Sequence, residues 1–344
     1  MPRYRLVLIG FGNVGQALAE LLIRKRQELQ QSYDIDWSVV GIATGSHGLA
    51  VDPQGLDLSQ ALAAVRSGQN LSQLSTTPSP ADAIALIQEI DAEVLFENSP
   101  VNYETGQPAI SHLEAALENG MHAITANKGP VVHGHRHLTD LAEAQGRCFF
   151  FESTVMDGAP IFGMWREALP AARPKAFRGL LNSTTNLILT LMEQGQSYQQ
   201  AVAYAQQIGI AETDPSGDTQ GWDAAVKVAA LATVLMDQPL KPQQVEREGI
   251  EGITAEMVER SRAAGKRWKL VCEARRDGRQ IMARVQPQEL DSADPLYNVM
   301  GTSSAVSFAS DVLGELTLVE KDPSPHTTAY GLLADFVNAV MFRD

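Results

Sequence analysis

The chain is poor in cysteine, with only Cys148 and Cys272 in 344 residues, each inside an apolar, strand-like run. That excludes a disulfide framework and points to a reducing compartment. Long hydrophobic runs are missing too. No segment approaches the ~20 consecutive apolar residues of a membrane span. Met1-Pro2-Arg3 passes straight into a strand-like run, without the apolar stretch and small-residue cleavage site of a signal peptide. A cytoplasmic protein with no membrane partner is expected. Basic residues are outnumbered, 27 Lys and Arg against 41 Asp and Glu, and the formal net charge of -14 argues against a nucleic-acid partner. Arg24-Lys25-Arg26 stands beside Glu20 and Glu28 and reads as a solvated helix face. Repeats and low-complexity tracts are absent, and Leu71 to Pro80 reads as a mobile surface loop.

What is present is a soluble globular composition, 44% hydrophobic and 20% charged, in a chain long enough for two domains. Tyr4 to Ile9 is an apolar run of strand length. Gly10-Phe11-Gly12-Asn13-Val14-Gly15 follows directly, and Val14, Leu18, Leu21 and Leu22 then line one helical face. This is G-x-G-x-x-G in the context a dinucleotide site requires, after a strand and opening a helix. Gly10 permits the tight turn, Gly12 lets the backbone approach a pyrophosphate, and Gly15 allows close helix–strand packing. The unpaired N–H groups of the helix start face the phosphates.

Strand-like and helical segments continue to alternate. The strands are Trp37–Ala43, Glu93–Phe96, Met121–Thr125 and Cys148–Phe151; the helices are Ala109–Leu117 and Leu138–Ala144. Such alternation makes a parallel sheet whose ligands gather at the carboxyl ends of the strands. Ser99, Asn127, Lys128 and Glu152 all stand there, although Lys128 also reads as a surface lysine. Asp34 and Asp36 precede their strand. Its carboxyl end, Ala43-Thr44-Gly45-Ser46-His47, holds no carboxylate to repel a 2′-phosphate and no Arg to clamp one. NADP is therefore the expected cofactor, with NAD also accepted.

After Glu152 the rhythm changes. A loop to Pro160 and a helix over Ile161–Leu169 precede a strand at Phe177–Leu181, the polar turn Asn182 to Asn186 and a helix from Leu187 to Glu193. Ser197-x-x-Gln200 has capping-box spacing. Asp277-Gly278 joins two strand-like runs as a hairpin, and Ala305–Ser310 and Glu315–Val319 add two more strands. The fold class is α/β: a Rossmann-type dinucleotide domain over 1–152 and an α+β domain over 153–325. The second domain has a mixed sheet with helices on one face. Its uncovered face or edge suits a homodimer. A last helix within 326–344 is expected to pack back on the first domain.

The segment Ala211 to Lys227, AETDPSGDTQGWDAAVK, carries Glu212, Asp214, Asp218, Asp223 and one lysine. Asp223 and Lys227 are four apart on a helix and face the same way. As an exposed ion pair they would add only about 0.3–0.5 kcal/mol. Yet Lys227 lies between Val226 and Val228 and opens a long uncharged run, which fits a lysine at the edge of a cleft. With a nicotinamide cofactor implied, such a lysine can pass a proton to a carbonyl oxygen during hydride transfer. Neither cysteine suits the thioester chemistry of an aldehyde oxidation.

Taken together, GFGNVG (10–15), ENSPVN (97–102), TANKGP (125–130), GLLNSTTNLIL (179–189) and the 211–227 segment resemble homoserine dehydrogenases over nearly the whole chain. The resemblance implies NAD(P)H-dependent interconversion of L-aspartate 4-semialdehyde and L-homoserine, on the route to threonine and methionine. It makes Lys227 the proton donor, and Glu212 a buried carboxylate for the substrate's α-ammonium. Asp218 and Asp223 become the carboxylates that shape the pocket and orient Lys227, and Asp214 is left as a turn residue before Pro215. Lys128 falls between cofactor and substrate, and Asn182 to Thr184 face both. Glu152 and Val155, with a carbonyl at Asp157, match ligands of a monovalent cation, Na+ or K+.

Three departures from the family pattern stand out. Its Gly-rich hinge is Met156-Asp157-Gly158 here, and its glycine-rich turn before the last helix is Asp322-Pro323-Ser324-Pro325-His326. The sequence runs to Asp344 without the C-terminal regulatory domain of some relatives, so feedback inhibition by threonine through such a domain is not expected. A dinucleotide-binding sensor that had lost catalysis would lack some of Lys128, Glu212, Asp218, Asp223 and Lys227; all five are present.

Overall fold

A computed structural model describes residues 3–278 and 280–341. The chain divides into two compact units, residues 1–160 with 324–344, and residues 161–323. The first unit runs to Pro160 where the sequence suggested a boundary at Glu152.

In the first unit six strands lie in the order β3-β2-β1-β4-β5-β6. They are β1 (Arg3–Ile9), β2 (Asp36–Ala43), β3 (Leu49–Val51), β4 (Val94–Glu97), β5 (His122–Thr125) and β6 (Phe149–Phe150). All neighbours are parallel except the short β3, which runs antiparallel to β2. The order reverses direction between β1 and β4, and that switch point is where a doubly wound sheet opens a crevice. Parallel strands are covered on both faces and therefore read as unbroken apolar runs: Leu6, Val7 and Leu8 are fully buried, as are Val94, Leu95 and Phe96. The helix Asn13–Tyr33 lays Leu18 and Leu22 into this core, and the closing helix Pro325–Met341 adds Leu332 and Phe336. The Phe336 ring meets Tyr4 and Phe96 edge-on, at centroid distances of 5.9 and 6.1 Å. Residues 342–344, the tail of the helical stretch expected over 326–344, lie outside the described residues.

The second unit is a mixed sheet in the order β12-β11-β7-β9-β10-β8. Its strands are β7 (Pro174–Leu180), β8 (Glu246–Arg247), β9 (Arg267–Asp277), β10 (Gln280–Leu290), β11 (Ser304–Ser310) and β12 (Glu315–Glu320). All pairs are antiparallel but β8 with β10. The helices Ser183–Glu193 and Trp222–Leu235 pack against it. Arg178, Glu273, Arg275, Arg284, Ser307 and Glu315 line a groove of ≈ 340 Å³.

Three expectations change. The helix expected from Leu187 starts at Ser183, because the Asn182 side chain caps it by accepting from Thr185 N–H at 2.9 Å. Leu71 to Pro80 is anchored: Leu71 is fully buried, its N–H bonds His47 O at 2.8 Å, and a 3-10 turn runs from Leu71 to Leu74. The helix expected over Ile161–Leu169 is one short turn, Ile161–Gly163, followed by wider π-type turns over Met164–Ala168.

Candidate active site

In the first unit, Gly10 takes φ +88°, and a Cβ there would stand 2.3 Å from Asn98 O; one on Gly15 would stand 2.4 Å from Gly10 O. Only glycine permits this approach of turn, helix and β4 loop. Around Gly12, nothing lies within 4 Å of where a Cβ would be, so its backbone is open to a ligand. The helix that follows has no side-chain cap and no acidic residue in its first turn, and its first bond runs from Gln16 N–H to Gly12 O. The N–H groups of Asn13, Val14 and Gly15 thus have no helical acceptor, while Phe11 is buried beneath the turn.

Beside them, Asn98 Oδ1 and Nδ2 and Ser99 Oγ are buried with no partner among the described residues. Open backbone, orphan donors and unspent neutral polar atoms fit a dinucleotide pyrophosphate. Asn98 was missed from sequence, although it sits at the same strand end that singled out Ser99.

Buried Glu97 orders this loop. Its Oε1 accepts from Ser99 N–H at 3.1 Å, and its Oε2 from Thr125 Oγ1 at 3.3 Å. Asn127 then ties it to the next strand end, donating to Ser99 O at 3.0 Å and accepting from Gly129 N–H at 3.0 Å. Half-buried Lys128 follows directly, at the start of the helix Lys128–His133. At the end of β2, Thr44 Oγ1 forms a turn, donating to Gly48 O and accepting from His47 N–H. Asp36 opens β2 at its other end, where it holds Arg26.

Glu152 and Val155 are buried in the same unit. Asp157 takes φ +41°, and its carboxylate accepts from Thr328 Oγ1 at 2.8 Å and Thr327 Oγ1 at 3.4 Å. Its side chain is thereby committed to the start of the closing helix.

In the second unit the 211–227 segment and the end of β7 converge. Lys227 Nζ donates to Leu181 O at 2.6 Å and lies 3.1 Å from Asp223 Oδ2. Asn182 Nδ2 donates to Asp218 Oδ1 at 2.6 Å and to Asp223 Oδ2 at 3.0 Å. Thr184 also hydrogen-bonds Asp218, and its Oγ1 stands 3.3 Å from Ile210 O. Burial and then the neighbouring Asp223 charge raise the Asp218 carboxyl above its usual range, against the pull of Asn182. The Lys227 and Asp223 side chains are only 15% and 13% exposed, which sets the pair apart from a surface ion bridge. An ammonium has three donors; a carbonyl and a carboxylate engage two of them.

Cys272 is fully buried beside this cluster and its thiol is pushed up to about 12, mainly by burial, so it holds its proton. Two carboxylates of the segment stand apart. Asp214 makes a turn, accepting from Ser216 N–H at 3.0 Å. Glu212, expected to be buried, is exposed; the loop backbone at that point is held by Gln206 Nε2, which bonds the carbonyls of Glu212 and Thr213.

Comparison with known proteins gives a consistent result. Residues 160–337 match the family profile Homoserine dehydrogenase, and residues 10–152 match Homoserine dehydrogenase, NAD binding domain. An NAD(+)-dependent homoserine dehydrogenase of Pseudomonas canavaninivorans is 34% identical, covering 98% of this chain and 96% of its own. The homoserine dehydrogenase of Methanocaldococcus jannaschii is also 34% identical, over 97% of each. The crystal structure of a putative homoserine dehydrogenase from Archaeoglobus fulgidus superposes with a TM-score of 0.86 at 29% identity, covering 97% of this chain and 98% of that one.

Proposed function

The chain belongs to the homoserine dehydrogenase family, and we propose that it reduces L-aspartate 4-semialdehyde to L-homoserine, reversibly, with Lys227 as the proton donor. The observation that carries this reading is the half-buried Lys227 ammonium, held by Leu181 O and Asp223 with one donor left over. A bound nicotinamide would supply the hydride to the carbonyl carbon. Lys227 would then deliver a proton to the carbonyl oxygen, where negative charge develops. Asp223 keeps the Lys227 side chain aimed, and Asn182 fixes Asp223 and Asp218 relative to each other. Asp218, Asn182 and Thr184 line the substrate side. Glu212 attracts the substrate's α-ammonium from the exposed loop, and Lys128 is a further candidate catalytic residue beside the cofactor-binding strand ends.

Gly10 to Gly15, Ser99 and Thr44 would hold the dinucleotide. With no carboxylate between Ala43 and Gly48, the β2 end accepts a 2′-phosphate, and we infer use of NADP(H) with NAD(H) also accepted. Glu152 with the carbonyls of Val155 and Asp157 would hold Na+ or K+; exchanging either for choline then lowers the rate. The second-unit face with Arg178, Glu273, Arg275 and Arg284 carries both charge signs and suits a second copy of the same chain related by a two-fold axis. Light scattering giving a monomer mass would remove that assignment. The whole reading is tested by following NADPH and NADH oxidation with aspartate semialdehyde; no turnover with either cofactor overturns it.

A further inference from the structure

Asp218 and Asp223 sit on separate helices, Ser216–Thr219 and Trp222–Leu235, joined only by Gln220 and Gly221. Gly221 takes φ +79°, so the distance between the two carboxylates depends on how this two-residue joint is held. Both ends of the joint are clamped by residues 245–251, which surround β8. The Arg247 guanidinium donates to Gln220 O on one side of Gly221 and stacks 3.8 Å over the Trp222 ring on the other. The Arg247 stem fills the space a Gly221 side chain would need, with Cγ 3.4 Å from the position of a Cβ. Ile250 N–H bonds Thr219 O at 2.8 Å, and Thr219 Oγ1 bonds Glu251 Oε1 at 3.0 Å. The clamp is itself fixed to the sheet, with Arg247 in register with Val285 and Glu248 N–H bonded to Val285 O at 2.8 Å.

We propose that Arg247 is a positioning residue for the reaction: it locks the Gln220–Trp222 joint and so sets Asp218 and Asp223 at the spacing Asn182 bridges. Arg247 touches neither Lys227 nor the two aspartates; its effect passes through the joint. A planar guanidinium can bond a carbonyl and stack on a ring at once, which an ammonium does less well. When the joint loosens, Asp218 shifts relative to the helix that carries both Asp223 and Lys227, Asn182 no longer bonds both carboxylates at once, and Asp223 Oδ2 is aimed less firmly at Lys227 Nζ. The expected signature is a loss in kcat and not in cofactor binding.

The inference rests on Lys227 and Asp223 being the reacting pair, so the experiment includes Lys227→Ala. Purified wild type, Arg247→Ala, Arg247→Lys and Lys227→Ala are assayed with aspartate semialdehyde and reduced cofactor in H₂O and D₂O. Arg247→Ala is expected to lower kcat by roughly 10- to 100-fold, the scale of a small misplacement of a catalytic group. The cofactor KM should stay within about twofold, and the solvent deuterium isotope effect on kcat should rise because proton delivery becomes slower. Arg247→Lys recovers part of the rate. If Arg247→Ala does not fold, Arg247→Met, which keeps the stem beside Gly221 and Trp222 but loses the donor, carries the same expectation. Wild-type kcat in these variants, or a lowered kcat with an unchanged isotope effect, overturns the positioning role. Wild-type kcat in Lys227→Ala instead overturns the assignment of the site.

Discussion

Asp223 Oδ2 lies 3.1 Å from Lys227 Nζ, one helical turn away, with both side chains mostly removed from solvent. In that setting the two groups cannot be altered separately. Removing the carboxylate takes one partner from the ammonium, and removing the ammonium leaves Asp223 beside Asp218, bridged by Asn182, without the positive charge they share.

Lys227→Ala is expected to lower kcat for aspartate semialdehyde reduction by about 10²–10⁴, the usual loss on removing a general acid, while cofactor affinity stays near wild type. Stopped-flow or steady-state assays with fluorescence titration of the reduced cofactor check both parts. Near-normal turnover ends the assignment.

Asp218→Asn tests the raised carboxyl. A carboxyl whose folded pKa lies above its unfolded value of 3.8 costs stability as pH rises from 3.8 through the folded value, and in full above it, since ionisation is easier in the unfolded chain. The neutral amide escapes this cost. The variant is expected to melt about 2–4 °C higher at neutral pH and to turn over more slowly, a trade common to strained sites. A lower Tm at neutral pH contradicts the account.

Glu212→Gln is expected mainly to raise the KM for the amino-aldehyde substrate, with a small effect on kcat. Because Glu212 is exposed, its attraction for the substrate's ammonium is screened, and the effect should shrink from low salt to high salt. An unchanged KM at low ionic strength moves the ammonium contact elsewhere.

Lys269 on β9 gives a pH prediction away from the site. It is fully buried, with Nζ bonded to Asn186 Oδ1 at 2.8 Å and Val299 O at 2.6 Å. Burial brings it from 10.5 to about 8, with Glu193 opposing the shift and Arg267 adding to it. The folded state therefore gives up this proton more easily than the unfolded chain. Its contribution to stability is least favourable below about pH 8 and improves as pH rises from about 8 to 10.5. Cys272, pushed up to about 12 from 9.0, acts in the opposite sense at higher pH, but it is common to wild type and variant. The difference in Tm between wild type and Lys269→Met should thus shift in favour of wild type between about pH 8 and 10.5. A pH-independent difference sinks the argument.

Gly10→Ala should lose dinucleotide binding and stability together, because its Cβ would stand 2.3 Å from a backbone carbonyl oxygen at positive φ. Gly12→Ala meets no protein atom, so it should retain Tm and lose cofactor affinity. Equal loss of Tm in both variants would mean that the turn is structural only.

Local patterns explain what could be read from the sequence. A strand, three glycines and a helix occupy consecutive positions at 4–22, so the crevice was legible, as was the i, i+4 pair Asp223 and Lys227. Other features depend on residues far apart in the chain. Asn182 looked like one of several polar turn residues, yet its side chain caps a helix through Oδ1 and bridges two aspartates 36 and 41 positions away through Nδ2. Leu71 looked like part of a polar loop because two leucines, Leu71 and Leu74, among Ser, Thr and Pro give too little pattern; its backbone is tied to His47 O and its side chain joins the core of the first unit. The exposure of Glu212 was hidden for a similar reason, since loop direction after Gly209 depends on Gln206 gripping two carbonyls. Arg247 lies between Glu246 and Glu248, a local pattern that carries no signal of the contacts its guanidinium makes with Gln220 and Trp222.

The closing helix also bears on how the protein is made. Phe336, wedged between Tyr4 and Phe96, is translated only after the whole second unit, residues 161–323. The nascent chain would thus carry an unfinished first core, with one wall of its hydrophobic interior missing, while the later unit is already able to fold. Domains generally fold as units during synthesis, N-terminal first; here the N-terminal unit is the one that must wait.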